Sequence, residues 1–324
     1  MIIGRKHPLD RCDHVFQDER VNTRSRTPVA ALMVVGSCVS LQFGAGIATP
    51  LFVVLGPAFT TTARLLIAGI VLAVVFRPRF WSWTRGQWRA VLLFGVAMAG
   101  MNGCFYAAID RIPLGIAVTI EFIGPLALAA VLSRRLRDLG WVLLAAAAIV
   151  VLGVDGAGDG RALDPIGILF ALAAGAFWAG YILAGSRVGA LVPGHGALAA
   201  AVLVGAVVVA PFGAASVGSL VTHPAALAGL AAVALLSSVI PYSLEFASMR
   251  RLDARTFGVL LSLEPVVATL AGWMLLGQTV TWLHVVAMAA VVVASTGSTL
   301  SAAQRADPRP EVAEEHASAP KTLV

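Results

Sequence analysis

The sequence predicts an all-α membrane protein of ten transmembrane helices arranged as two inverted five-helix repeats. Three observations carry that expectation. Of 324 residues, 59% are apolar and only 12% are charged, where a soluble globular domain carries about 25% charged residues. Apolar runs recur at the length, roughly 20 helical residues, needed to cross ~30 Å of hydrocarbon. The one clear hydrophilic break, "DGAGDGRALD" from Asp155 to Asp164, divides those runs into five and five.

The first expected span, 30–50, follows 28 charged and polar residues and is expected to be its own insertion signal, with no cleavable signal peptide before it. The second, 57–76, contains Arg64, and the third, 89–108, contains Asn102 and Tyr106. The fourth, 113–133, includes "GIAVTIEFIGPLALA", with Glu121 at its ninth position and Pro125 four residues later. The fifth, 138–154, is short. The sixth, 166–185, repeats small residues at Ala171, Gly175 and Ala179, a spacing that reads as close helix packing. The seventh covers 197–217. The eighth, 225–246, carries Tyr242 and, near its cytoplasmic end, Glu245; the ninth, 256–276, carries Ser262, Glu264 at its ninth position and Pro265; the tenth covers 282–301.

Lys and Arg concentrate in cytoplasmic loops. Starting the chain inside places 20 of the 23 basic residues there, leaving Arg111 and Arg161 outside and Arg64 within a span. Both termini are therefore expected to be cytoplasmic, and the net charge of +6 needs no nucleic-acid partner to explain it. Cys12, Cys38 and Cys104 are odd in number and scattered, without metal-ligand spacing, and read as packing residues or a free thiol.

The halves echo one another. Gly44 matches Gly180, Gly69 matches Gly205 and Phe76 matches Phe212 at an offset of 136, and Arg111 matches Arg251 and Pro125 matches Pro265 at 140. Because five is odd, the second half enters the membrane inverted, the plan of many secondary transporters, in which substrate binds near the midplane between repeats. The expected organisation is a disordered cytoplasmic tail at 1–28, a first repeat at 29–154, a periplasmic linker at 155–164, a second repeat at 165–302 and a disordered cytoplasmic tail at 303–324.

Ionisable groups inside spans cost at least ~2.5–3.5 kcal/mol at the centre, so they normally face a cavity or a partner. Arg64, Glu121, Glu245 and Glu264 are such groups. Pro125 has no N–H for the carbonyl of Glu121, and Pro265 likewise frees the carbonyl of Leu261. Beside a polar cavity those carbonyls can take an ammonium group or water, and Ala117 and Gly124 leave room around Glu121. The other reading is a packing kink with Glu121 paired to Arg64; both stay open at this point. Asn102, Tyr106, Tyr242 and Ser262 are further candidates for contact with a substrate, as are Gln42, Trp178, Tyr181 and Ser243, each more often a packing or anchoring residue.

An ATP-driven machine is not indicated, since no G-x-x-x-x-G-K-[ST] occurs. The "GAGD" at Gly156 to Asp159 has the form of an intramembrane aspartyl protease motif, but it falls in the outer linker and no span holds a second Asp in its interior. An enzyme is therefore not expected, nor any cofactor or metal.

The blocks "TARLLIAG", "AGMNGCFYAAIDRIPLGIAVTIEFIGPLALA" and "PYSLEFASMRRLDARTFGVLLSLEPVVATLAG" resemble the threonine/homoserine exporters of the drug/metabolite transporter superfamily, built from two EamA-type halves. The resemblance covers nearly all of residues 30–301. It implies ten helices, cytoplasmic termini, an inner-membrane location and export of small amino acids such as threonine and homoserine. The 28-residue charged lead is longer than such proteins carry before their first span. On this reading Arg64, Asn102, Tyr106, Glu121, Tyr242, Ser262 and Glu264 line the substrate site, while Glu121, Glu264 and Glu245 carry protons in exchange for substrate. The partners are then an amino acid and the lipid bilayer, and a homodimer is compatible with this plan. The alternative is the same fold acting on another metabolite or drug, or working in the uptake direction.

Overall fold

A chain crossing lipid has to satisfy its main-chain groups within itself, and the α-helix does so locally. The computed structural model describes residues 9–133, 136–158, 163–192, 196–249, 251–252 and 254–306. Among the described residues it contains helices and no strand. In chain order these are α1 (Leu9–Leu55), α2 (Pro57–Phe76), α3 (Arg85–Ile109), α4 (Leu114–Glu121), α5 (Ile123–Ser133), α6 (Leu136–Gly158) and α7 (Pro165–Leu191). Then come α8 (Gly196–Gly213), α9 (Val217–Thr222), α10 (Ala226–Ala234), a π-helical turn (Leu235–Val239), α11 (Ile240–Met249), α12 (Ala254–Leu261), α13 (Glu264–Leu276) and α14 (Trp282–Ala306).

Nine stretches among the described residues are long and apolar enough to cross a membrane. Within α6 the apolar stretch found among the described residues is Leu139–Ala148, and the helix itself continues to Gly158. The helix that carries the first span is assigned from Leu9, within the charged lead. A helix already nucleated propagates one residue at a time, so weakly helical sequence can follow a span. Residues 307–324 of the expected C-terminal tail lie outside the described residues, as do Arg134, Arg135, Asp159, Arg161 and Arg250.

Turn chemistry fixes the first reversal. Gly56, at φ 73°, occupies backbone space that other residues rarely adopt, and Pro57 at the first helical position needs no N–H partner. At the other end of α2, Arg77 takes a left-handed conformation at φ 45° and returns its N–H to the carbonyl of Ala73.

The bundle is organised by a few pairings. α3 packs on α7 and α8, α2 on α8, α1 on α11 and α13, α4 on α13 and α7, and α6 on α14. One apolar core gathers Tyr106, Leu114, Ile120 and Phe122, and a second gathers Leu65, Phe94, Met98 and Val202. The outward faces are apolar too, with Val53 91% and Phe212 80% exposed, as suits helices bathed in hydrocarbon.

Two spans are broken in mid-course. α4 ends at Glu121 and α5 begins at Ile123; α12 ends at Leu261 and α13 begins at Glu264. Pro125 and Pro265 lie just beyond these breaks, each withholding the N–H that would have continued the ladder. Glu121 thus sits at the end of the leading half-helix of one span, and Glu264 at the start of the trailing half-helix of the other.

Candidate functional site

A permanent charge inside an apolar bundle has to be held by something, so the site is built outward from Arg64. Its side chain projects from the buried face of α2 and is 1% exposed. Nη1 donates to the carbonyl oxygen of Ser237 at 3.0 Å. Nη2 donates to Oδ1 of Asn102. Asn102 is itself oriented by donation from Nδ2 to the carbonyl of Met98 at 2.8 Å, one turn back on α3. One turn further along α3, Tyr106 places its ring 4.6 Å from the guanidinium carbon, a cation–π contact. Phe52 of α1 backs that ring with centroids 5.2 Å apart. Tyr242 of α11 is buried within electrostatic reach of the same guanidinium. Four of the sequence-predicted residues, Arg64, Asn102, Tyr106 and Tyr242, are therefore brought together.

The acids form a second group. Glu264 is 6% exposed and accepts from Nε2 of Gln42 on α1 at 3.2 Å. Glu245, half-buried on α11, accepts from Ser37 Oγ at 2.6 Å. The guanidinium of Arg251 approaches Sδ of Met33. Glu121 is 8% exposed, and its carboxylate takes no hydrogen bond among the described residues. Glu264 lies within electrostatic reach of both Glu121 and Glu245.

The pairing of Arg64 with Glu121, one of the two open readings, is not formed. Among the described residues the one ion pair is Arg111 with Asp164, 3.2 Å apart at the surface, where α4 and α7 begin. The Asp164 carboxyl is held below the usual carboxylate range, first by the N–H of Ile166 and then by the Arg111 guanidinium. Arg64, by contrast, is held by neutral acceptors and an aromatic ring alone.

Four buried side-chain atoms among the described residues lack a hydrogen-bond partner: Gln42 Oε1, Arg64 Nε, Tyr106 Oη and Ser238 Oγ. Buried polar groups are normally satisfied. The first three belong to the two groups just described, and the fourth adjoins Ser237, whose carbonyl holds Arg64.

Ser262, two residues before Glu264, donates to Ser295 Oγ of α14 at 2.9 Å. One expectation is corrected. Gly124 does not leave room beside Glu121: a Cβ there would overlap the main chain of Gly175 on α7, and a Cβ on Gly175 would lie 2.5 Å from the Glu121 carbonyl oxygen. The carbonyl that Pro125 frees is thus closed off by a helix crossing, as the small-residue spacing of α7 had suggested. Gln42, Ser37 and Ser237 are the partners that sequence reasoning missed. Gln42 was visible as an amide in a span, but nothing local pointed to its acid 222 residues away.

The EamA-like transporter family model matches residues 165–300. The chain is 41% identical over 276 residues to the threonine/homoserine exporter RhtA of Salmonella typhimurium strain LT2, spanning 85% of this chain and 92% of that one. It is 40% identical, over the same shares, to the exporter of that name from Escherichia coli strain K12. The uncharacterized transporter YwfM of Bacillus subtilis strain 168 is 28% identical over 238 residues, 69% of this chain and 79% of its own. One solved crystal structure shares the fold with a TM-score of 0.57 at 19% identity, covering 86% of this chain and 99% of its own. With two residues in five shared along most of its length with named transporters, and no enzyme among these relatives, this multi-pass membrane protein belongs to the EamA-like transporter family, in the group of the threonine/homoserine exporters.

Proposed function

We propose that the protein exports small zwitterionic amino acids, of the threonine and homoserine kind, across the bacterial inner membrane in exchange for protons. The observation that carries this is Arg64. A buried guanidinium stays charged, and it is costly to bury without a counter-charge. Here no carboxylate lies within ion-pair distance among the described residues, and Nε still has a donor to give. A substrate carboxylate supplies the missing charge and fits the fork of donors that Arg presents.

Asn102 and Tyr106 fix that fork, and Tyr242 closes its side. Glu121 and Glu264 face the ammonium group and compete for it with protons; Glu245 lies on the cytoplasmic side, suited to proton release. Ser262 supports this region through α14. The direction, outward, rests on the names of the relatives and on the need of an ATP-independent exporter for an ion gradient.

The ten-helix inverted plan belongs to the same reading. Exchanging each span for the one five later carries the contact of α1 with α11 onto that of α7 with α3, and α1 with α13 onto α7 with α4. The pairs α2 with α8, α4 with α13 and α6 with α14 map onto themselves. A pseudo-twofold relation between halves, with α6 as the short fifth span and both termini cytoplasmic, accounts for that pattern.

The test is Arg64→Lys in proteoliposomes loaded with labelled L-threonine. Lys keeps the charge and loses the fork, so the protein accumulates normally while threonine affinity falls roughly 10-fold or more, the loss of one charge-assisted hydrogen bond. A Lys variant with wild-type affinity removes Arg64 from the site.

A further inference from the structure

The π-helical turn Leu235–Val239 and the proline behind it are not explained by span formation. In an α-register the N–H of Ile240 would reach the carbonyl of Leu236; here it reaches Leu235, so the Leu236 carbonyl is released. The next N–H in line would serve the Ser237 carbonyl, but residue 241 is proline and has none. Two consecutive carbonyls of one buried span are therefore denied their α-helical donors by two different devices. Both are taken from outside the helix. Ser40 Oγ of α1 donates to Leu236 at 2.7 Å, and Arg64 Nη1 of α2 donates to Ser237 at 3.0 Å. The fit is tight: a Cβ on Gly44 of α1 would overlap the Ser237 side chain, and Ser237 is fully buried.

We infer that Pro241, the π turn and Ser40 are a seat for the Arg64 guanidinium, positioning residues that fix its orientation and thereby set substrate affinity. The inference rests on Arg64 as the carboxylate-binding group. Nη1 is held by the second half of the chain and Nη2 by Asn102 of the first. With both ends of the fork gripped, Nε is left as the presented edge, and it is the nitrogen without a partner. Restoring an N–H at 241 gives the Ser237 carbonyl an acceptor's role within its own helix, and Arg64 then loses one grip.

The experiment is a double-mutant cycle on the full-length protein in proteoliposomes, with labelled L-threonine as the probe. Pro241→Ala is expected to raise the KM for threonine roughly 10-fold, as loss of a hydrogen bond to a charged group does, while turnover at saturating threonine is kept. Combined with Arg64→Lys it should add nothing beyond the Lys variant, because both act through one guanidinium. Thr49→Ala, which removes only a back-bond to the Ala45 carbonyl on α1, the helix that carries Ser40, should leave KM unchanged. Should the Pro241 variant fail to accumulate, Ser40→Ala carries the same comparison with a smaller rise. A wild-type KM for Pro241→Ala beside an impaired Arg64→Lys overturns the seat and spares the site; effects that multiply in the double variant overturn it too. A wild-type KM for Arg64→Lys overturns the site itself.

Discussion

Gly124→Ala tests the packing that encloses the site. The added methyl carbon would meet the carbonyl oxygen, the carbonyl carbon and, at 2.7 Å, the Cα of Gly175. Carbon atoms in ordinary contact keep ~3.5–4.0 Å, and the carbonyl group lies nearer than the Cα, so α5 and α7 have to separate by at least about 1 Å at their crossing. Overpacking typically costs ~1–3 kcal/mol when side chains can give way. All three obstacles here are main chain, so we expect the top of that range, about 3 kcal/mol, and a fall in Tm of about 5–10 °C. Thermal unfolding of purified protein, followed by circular dichroism in one detergent, reads this directly. Gly140→Ala is the control of opposite sign. Nothing lies within 4 Å of a Cβ at that helical position, so the better helix former should leave stability equal or raise it by ~0.5–1 kcal/mol. Equal Tm values for wild type and Gly124→Ala, or equal losses in both variants, would refute the reasoning.

Three further outcomes follow from particular residues. Glu121→Gln and Glu264→Gln, which mimic permanently protonated acids, should fold normally yet lose the response of threonine efflux to an imposed pH gradient; unchanged responses in both would leave Glu245 as the coupling group. Asp164 has a depressed folded-state pKa, so its contribution to stability is present above the ordinary aspartate value of about 3.9 and is lost as pH falls below it toward the folded value. Asp164→Asn should flatten that acid limb of the Tm profile, and an identical limb would show that the pair with Arg111 adds nothing. Single cysteines at positions 157 and 253 should react with impermeant reagents from the outside and the inside respectively, and the reverse pattern would invert the topology.

The spans and the charges inside them were legible in the sequence because lipid imposes a one-dimensional rule: a helix needs a certain length, and an ionisable residue within it needs a reason. Pro125 and Pro265 marked the two breaks because a missing N–H is local information. What the acids pair with was not legible. Gln42 with Glu264 and Ser37 with Glu245 join residues 222 and 208 apart, a matter of which helix faces which. The same limit explains why Gly124 read as open space and proved to be filled by Gly175. The π turn left only Pro241 as a trace, because one extra residue in a helical turn alters no hydrophobic period. The bond of Ser262 to Ser295 was not legible either, because a serine in a span is equally suited to a ligand or to a neighbour.

The contact of α3 with α7 and the contact of α1 with α11 are chemically unlike. Along α3 and α7 the contact is dry: the Phe177 ring covers Gly100, Phe94 stacks on Tyr181 at 4.8 Å, and Gly185 admits Phe94 at 3.1 Å from its notional Cβ. The α7 end of this seam is stitched as well, by Gln87 Nε2 donating to the Leu191 carbonyl at 2.8 Å. Along α1, the π turn and α11 the contact is wet in character, made by Ser37 with Glu245 and Ser40 with a released carbonyl. Hydroxyls that let go of a partner can bond water instead at little net cost, whereas interlocked rings and glycines cannot part without opening a void. The seam along α1 is therefore the one that parts at the smaller cost, and the seam of α3 with α7 is the one that holds.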